Sequence, residues 1–217
     1  MAANAGNFGF MPVGTLTGTP VPKMVLRPTG DSAKGKNDTS IFIGDVVNLD
    51  ASGAIQRIND AASGGDSRLP LGVVGAVFDV NRRPFTFNQP DSGSFIPTST
   101  RGFVGVYESP HIIYRANCSS TASYLNVGAF CAVRVCAATT LVGRSGMGVD
   151  LGANTAATAA GEFMKLYNIS PMDGLLDEAR LSGQANQDVE VVIVNSQWSN
   201  AWLRNIVAEV DVSSWVD

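Results

Sequence analysis

An all-β chain is what this sequence predicts: a small β-barrel unit, a second antiparallel unit of sandwich or barrel type, and an extended N-terminal arm. Three observations predict it. Short runs rich in β-branched residues recur, as in IFIGDVVNL (41–49) and LPLGVVGAV (69–77), and such residues fit a pleated, partly buried surface. Turn formers are plentiful, with 23 Gly and 10 Pro against only 16% charged residues, a balance that suits many short elements and no long helix. At 217 residues the chain is long enough to bury a core without relying on covalent staples.

Residues 1–40 read as the arm. Pro12, Pro20, Pro22 and Pro28 interrupt any sustained period of 2 or 3.6, yet the segment is too apolar to stay solvated. Phe8, Phe10, Met11, Leu16, Met24 and Leu26 are therefore candidate interface residues, laid extended against the chain's own body or a neighbouring subunit. The arm carries Lys23, Arg27, Lys34 and Lys36 against Asp31 and Asp38, so a mildly basic segment precedes an acidic body. As an intermolecular contact element it is expected to be removable, with deletion of residues 1–30 leaving a folded body.

The first β unit spans 41–90. IFIGDVVNL leads through an Asp50-Ala51-Ser52-Gly53 turn to AIQRI and then to LPLGVVGAVFDV; Gly53 takes positive φ without cost, and Asp50 and Ser52 can bond their own backbone. After the Pro/Gly/Ser-rich break at 88–100, a second unit is expected over 101–198. Its strands are GFVGVYES, HIIYRANC, AFCAVRVCA, EFMKLYNI and VEVVIVNSQW. In HIIYRA and VEVVIV, Arg115 and Glu190 break an otherwise apolar pattern, the mark of a sheet with one face buried. The small-residue stretch 139–161 reads as an exposed loop or hairpin. In the tail, 199–217, the spacing of Trp198, Trp202, Leu203 and Ile206 permits a short helix, while Ala208, Val210 and Val212 permit a strand. Trp198, Trp202 and Trp215 complete the candidate interface set as aromatic anchors of a docking tail; the opposing reading has them finish the domain's own core.

Catalytic chemistry finds little footing. His111 is the single histidine, so a Ser/His/Asp or Cys/His set would have to be built on it, and zinc needs about four N or S ligands. Cys118, Cys131 and Cys136 are an odd number at no metal-ligand spacing and read as reduced, buried thiols. Asp173, Asp177 and Glu178 cluster, but a solvated turn accounts for them more simply than acid/base work. GRSGMG (143–148) lacks the Lys-Ser/Thr of a phosphate loop and reads as a flexible loop tip. No catalytic, cofactor or metal residue is assigned. A net charge of −4 argues against nucleic acid as a partner. The lack of a leader-like start or an apolar run of membrane-spanning length gives the expectation of a soluble, unexported chain with no membrane partner.

Gly44-Asp45-Val46-Val47, the Gly53 turn and Leu71-Gly72-Val73-Val74 resemble the small β-barrel unit of tailed-phage capsid decoration, or cement, proteins. VGVYESPHIIYRA (104–116), the stretch 143–171 and VEVVIVNSQW (189–198) are similar to head-associated structural proteins of phages. The resemblance covers residues 41–198 and departs at Glu108-Ser109-Pro110, where family members commonly carry Asp-Pro. It implies a non-enzymatic virion protein on the outer capsid surface, without cofactor, cementing the seams between capsomers. Its implied partners are the major capsid protein and itself, as a homotrimer ahead of a dimer. A carbohydrate- or cell-surface-binding virion module is the alternative of a second class, and a hydrolase a third.

Overall fold

The computed structural model describes residues 8–30, 39–49, 53–58, 69–84, 95–118, 120–135, 143–151, 164–169, 187–194, 196 and 197. Its strands are β1 (Met11–Thr15), β2 (Val25–Pro28), β3 (Ile41–Phe42), β4 (Val46–Leu49), β5 (Ile55–Arg57), β6 (Gly72–Phe78), β7 (Phe95–Ile96), β8 (Phe103–Tyr107), β9 (Ile112–Cys118), β10 (Phe130–Val135), β11 (Met147–Asp150), β12 (Met164–Ile169) and β13 (Gln187–Ile193). The all-β expectation holds, and the strands form two five-stranded rings.

The first ring runs β2-β8-β6-β4-β5 with antiparallel neighbours. A parallel bridge from Thr29 to Ile55 joins its two edges. The second runs β9-β13-β12-β10-β11, antiparallel throughout, and closes through a parallel pairing of Val149 with Cys118. The parallel joint follows from arithmetic: five strands that alternate in direction bring the first and last together pointing the same way. Closure removes the open edges that a flat sheet would leave for aggregation. β1 adds to the outside of β9, antiparallel, and β3 pairs with β7 as a separate two-stranded ribbon.

Successive strand residues point to opposite faces, and both faces of β4 and β6 find a core. Val47, Val74, Val77, Val104 and Val106 gather with Ile41, Ile55, Leu71 and Ile96 in one cluster. Their neighbours Val46 and Val73, with Ile58, turn the other way and join a larger cluster built on Tyr114, Met147, Met164, Leu166 and Val191 of the second ring. Burial on both faces is why VVNL and GVVGAV read as continuous apolar runs instead of alternating ones. For the same reason β4 and β6 themselves hold no charged residue.

Two sequence expectations change. The stretch 139–161, expected as an exposed loop or hairpin, supplies β11, which pairs antiparallel with β10 as a hairpin strand; it is the exposure that changes, because the alternation of β11 puts Met147 and Val149, both fully buried, into the ring. The unit expected over 41–90 contributes β4, β5 and β6, and its ring is completed by β2 from the arm and β8 from the next segment.

A candidate docking face on an N-terminal strap

Residues 8–30 run as a strap across both rings. β1 lies along β9 from Met11 against Arg115 to Thr15 against Ile112, and β2 lies along β8 from Val25 against Val106 to Pro28 against Phe103. Because β8 and β9 are consecutive strands in different rings, one chain segment is hydrogen-bonded to both. Pro12 is tolerated because, among the described residues, β1 is paired on one side only. Between the two strands, the Leu16 N–H donates to the His111 carbonyl at 2.8 Å, and Val21 packs on the larger core.

Three anchors hold the strap. The Phe10 ring is 1% exposed within the larger core, and its N–H donates to the Gly44 carbonyl at 2.9 Å. Arg27 grips Glu108 with both ends of its guanidinium fork, Nε to Oε1 at 2.6 Å and Nη2 to Oε2 at 2.8 Å, the bidentate geometry that carboxylates favour. The Arg115 guanidinium lies over the half-buried Phe8 ring, 5.8 Å from its centroid, within cation–π range. The remaining arm candidates face outward: Met11, Leu16, Met24 and Leu26 are exposed, and so are Val13 and Val25, which the candidate set omits. The interface set thus divides, with Phe10 a core residue, Phe8 half-covered and the others exposed along a backbone fixed to both rings. Trp198, Trp202 and Trp215 lie outside the described residues. Strap pairing reverses the expectation for deletion of residues 1–30, since the cut would take β2 out of one ring and Phe10 out of the core of the other.

A buried polar cluster under the strap escaped the sequence reading. Asp45, 0% exposed, accepts from the Ser145 hydroxyl at 2.5 Å and from the Phe42 N–H at 2.9 Å. Arg57 Nε stands 3.1 Å from its Oδ2. Burial pushes the Asp45 carboxyl up to about 6, against the opposing pull of Arg57, Ser145 and Phe42. Ser145 is itself buried; its N–H donates to the Ile43 carbonyl at 3.2 Å, and its hydroxyl accepts from the Met147 N–H at 3.0 Å. The cluster is a clasp between the β3–β4 turn of one ring and the approach to β11 in the other. GRSGMG, expected as a flexible loop tip, supplies its key hydroxyl. The only sequence signal was a lone carboxylate in an apolar run, FIGDVV.

Chemical candidates are otherwise sparse. Among the described residues no group of three or more His, Cys, Asp or Glu could hold a metal ion. Ser120 donates to Asp150 at 2.5 Å, but His111 is bonded through its backbone to Ser109 and Leu16 and completes no triad with them. Asp173, Asp177, Glu178 and Cys136 lie outside the described residues. Cys118 and Cys131 are buried and free. Among the described residues, no helix is long and apolar enough to cross a membrane.

Fold and surface together define an all-β protein of two closed rings, strapped by its N-terminal segment, along which several large apolar side chains stay exposed. Compared with models of known protein families, with curated proteins and with solved structures, the chain matches none.

Proposed function

We propose that the chain is a non-enzymatic virion structural protein that decorates the outer surface of an icosahedral phage capsid and cements the seams between capsomers. The observation that carries this reading is the strap: six large apolar side chains, Met11, Val13, Leu16, Met24, Val25 and Leu26, stay exposed on a backbone hydrogen-bonded to both rings. Rigid apolar surface loses little conformational entropy on docking, and exposed large apolar side chains concentrated on one segment support a contact role for it. The partners in this reading are the major capsid protein and further copies of the chain, because many weak contacts gain occupancy through avidity, with a homotrimer ahead of a dimer because three capsomers meet at local three-fold positions. Nucleic acid and membrane have no part in it.

The test replaces Leu16, Met24 and Leu26 by serine together. These positions lie on the surface, so the rings should fold while attachment to virion shells is lost. Imaging of the source virions with a label on the chain supplies the independent arm; a chain absent from the shell, or a triple variant that attaches like the unmodified protein, overturns the proposal.

A further inference from the structure

The inner face of β13 is apolar except at its first residue. Val189, Val191 and Ile193 enter the larger core, and by the two-residue period of a strand Gln187 points the same way. Its side chain is buried, with the residue only 3% exposed. The backbone partner of Gln187 on β9 is Cys118, a fully buried member of that core. Residues directly opposite in an antiparallel ladder carry their side chains on one face, with Cβ atoms about 5 Å apart, so the amide lies beside the thiol. Neither Oε1 nor Nε2 of Gln187 meets a hydrogen-bond partner among the described residues. Cys118 also pairs with Val149, which puts both groups at the level where the second ring closes. The neighbouring hydroxyl is already engaged: Ser120 donates to Asp150 Oδ1 at 2.5 Å and accepts from the Leu151 N–H at 2.8 Å, and the Cys118 S–H points at it over 4.0 Å.

We propose that Gln187 holds an internal water molecule where the second ring closes, the water donating to Oε1, accepting from Nε2–H and touching the Cys118 sulfur as a third, weaker partner. A buried amide with both ends unmet bears the desolvation of a donor and of an acceptor together. Protein interiors satisfy such groups with ordered water, which makes two to four hydrogen bonds where polar atoms converge. A primary amide turns its carbonyl oxygen and one of its N–H groups to the same side, so one molecule that both donates and accepts serves the two. The class of ligand follows from the groups. Glutamine carries no charge, and burial, ahead of every other influence, raises the Cys118 thiol and keeps it protonated. Two neutral groups select a neutral ligand over an ion, and a strand-lined interior selects a small one. The inference is independent of the capsid reading.

Nuclear magnetic resonance of the full chain reads this site directly. The Gln187 side-chain amide protons should show a nuclear Overhauser effect to water with the sign of a long-lived bound molecule, while the same protons exchange too slowly with solvent to produce it. Relaxation dispersion of water oxygen-17 supplies the count. Gln187→Met keeps a side chain of similar length without the amide, and it should show one long-lived water fewer than the unmodified protein. Amide protons without contact to water overturn the proposal, as does an unchanged count in folded Gln187→Met. Should that variant fail to fold, the Overhauser measurement on the unmodified chain decides alone.

Discussion

Asp45 and Arg57 form an ion pair, Oδ2 to Nε at 3.1 Å, in which the carboxylate is fully buried and the guanidinium nearly so. The pair belongs to one ring, yet the second oxygen of Asp45 is bonded by Ser145 from the other. Desolvation outweighs the attraction, so the carboxyl sits at about 6 against an ordinary value of 3.8.

The pH dependence follows from that raised value. Between about 4 and 6 the folded chain holds the Asp45 proton while the unfolded chain has released it. Stability therefore falls as pH rises through this window, and the penalty is complete above it. A shift of this size corresponds to a few kcal/mol, on the order of 3. The measurement is the urea midpoint at a series of pH values; Asp45→Asn should flatten this part of the profile, and an equal slope in both proteins would remove Asp45 as its source.

Ser145→Ala takes away a hydroxyl that both donates to Asp45 and accepts from Met147. An unsatisfied buried polar group costs about 1–3 kcal/mol, so a loss in that range is expected in chemical denaturation. Gly9→Ala should be at least as harmful. Gly9 has φ +77°, and an added Cβ would lie 2.6 Å from Ser145 Cβ and 2.8 Å from the Gly44 carbonyl oxygen, inside van der Waals contact and with a backbone shape that a side chain disfavours.

Deleting residues 1–30 should destabilise the body heavily, because it removes β1, β2 and the buried Phe10 ring. Loss of a buried phenylalanine alone costs about 3–5 kcal/mol. Glu108→Gln is the gentler probe: it breaks the charge of the bidentate clamp on Arg27, and about 1 kcal/mol is expected for a partly exposed pair. Limited proteolysis should then cut the strap near Arg27 faster while the rings remain intact.

Cys118 and Cys131 should resist alkylation in the folded protein and react fully in denaturant. Burial is the first cause of the upward shift of both thiols, and only the thiolate is an effective nucleophile. Rapid labelling of either residue under native conditions would contradict their placement inside the second ring.

Much of the strand content was legible from local pattern. FIGDVVNL, GVVGAV, FVGVY, HIIYRANC and VEVVIV carry β-branched and aromatic residues at strand length, and each falls on a strand of the structure. β1 and β2 were hidden because prolines and glycines break their period, and their pairing is with β9 and β8, far along the chain. β11 was hidden by small residues around two inward side chains. The clasp was not legible at all: Asp45 and Ser145 are a hundred positions apart, and nothing in either neighbourhood marks them as partners.

By itself the sequence determined that the chain would be β, with short strands and tight turns, because these depend on residue type and spacing over a few positions. Tertiary structure alone decided which strands share a ring, that the arm pairs with strands of both rings, and which apolar side chains remain in water. Those outcomes depend on long-range pairing and on which of two faces each strand buries, and a one-residue change of register would exchange the faces.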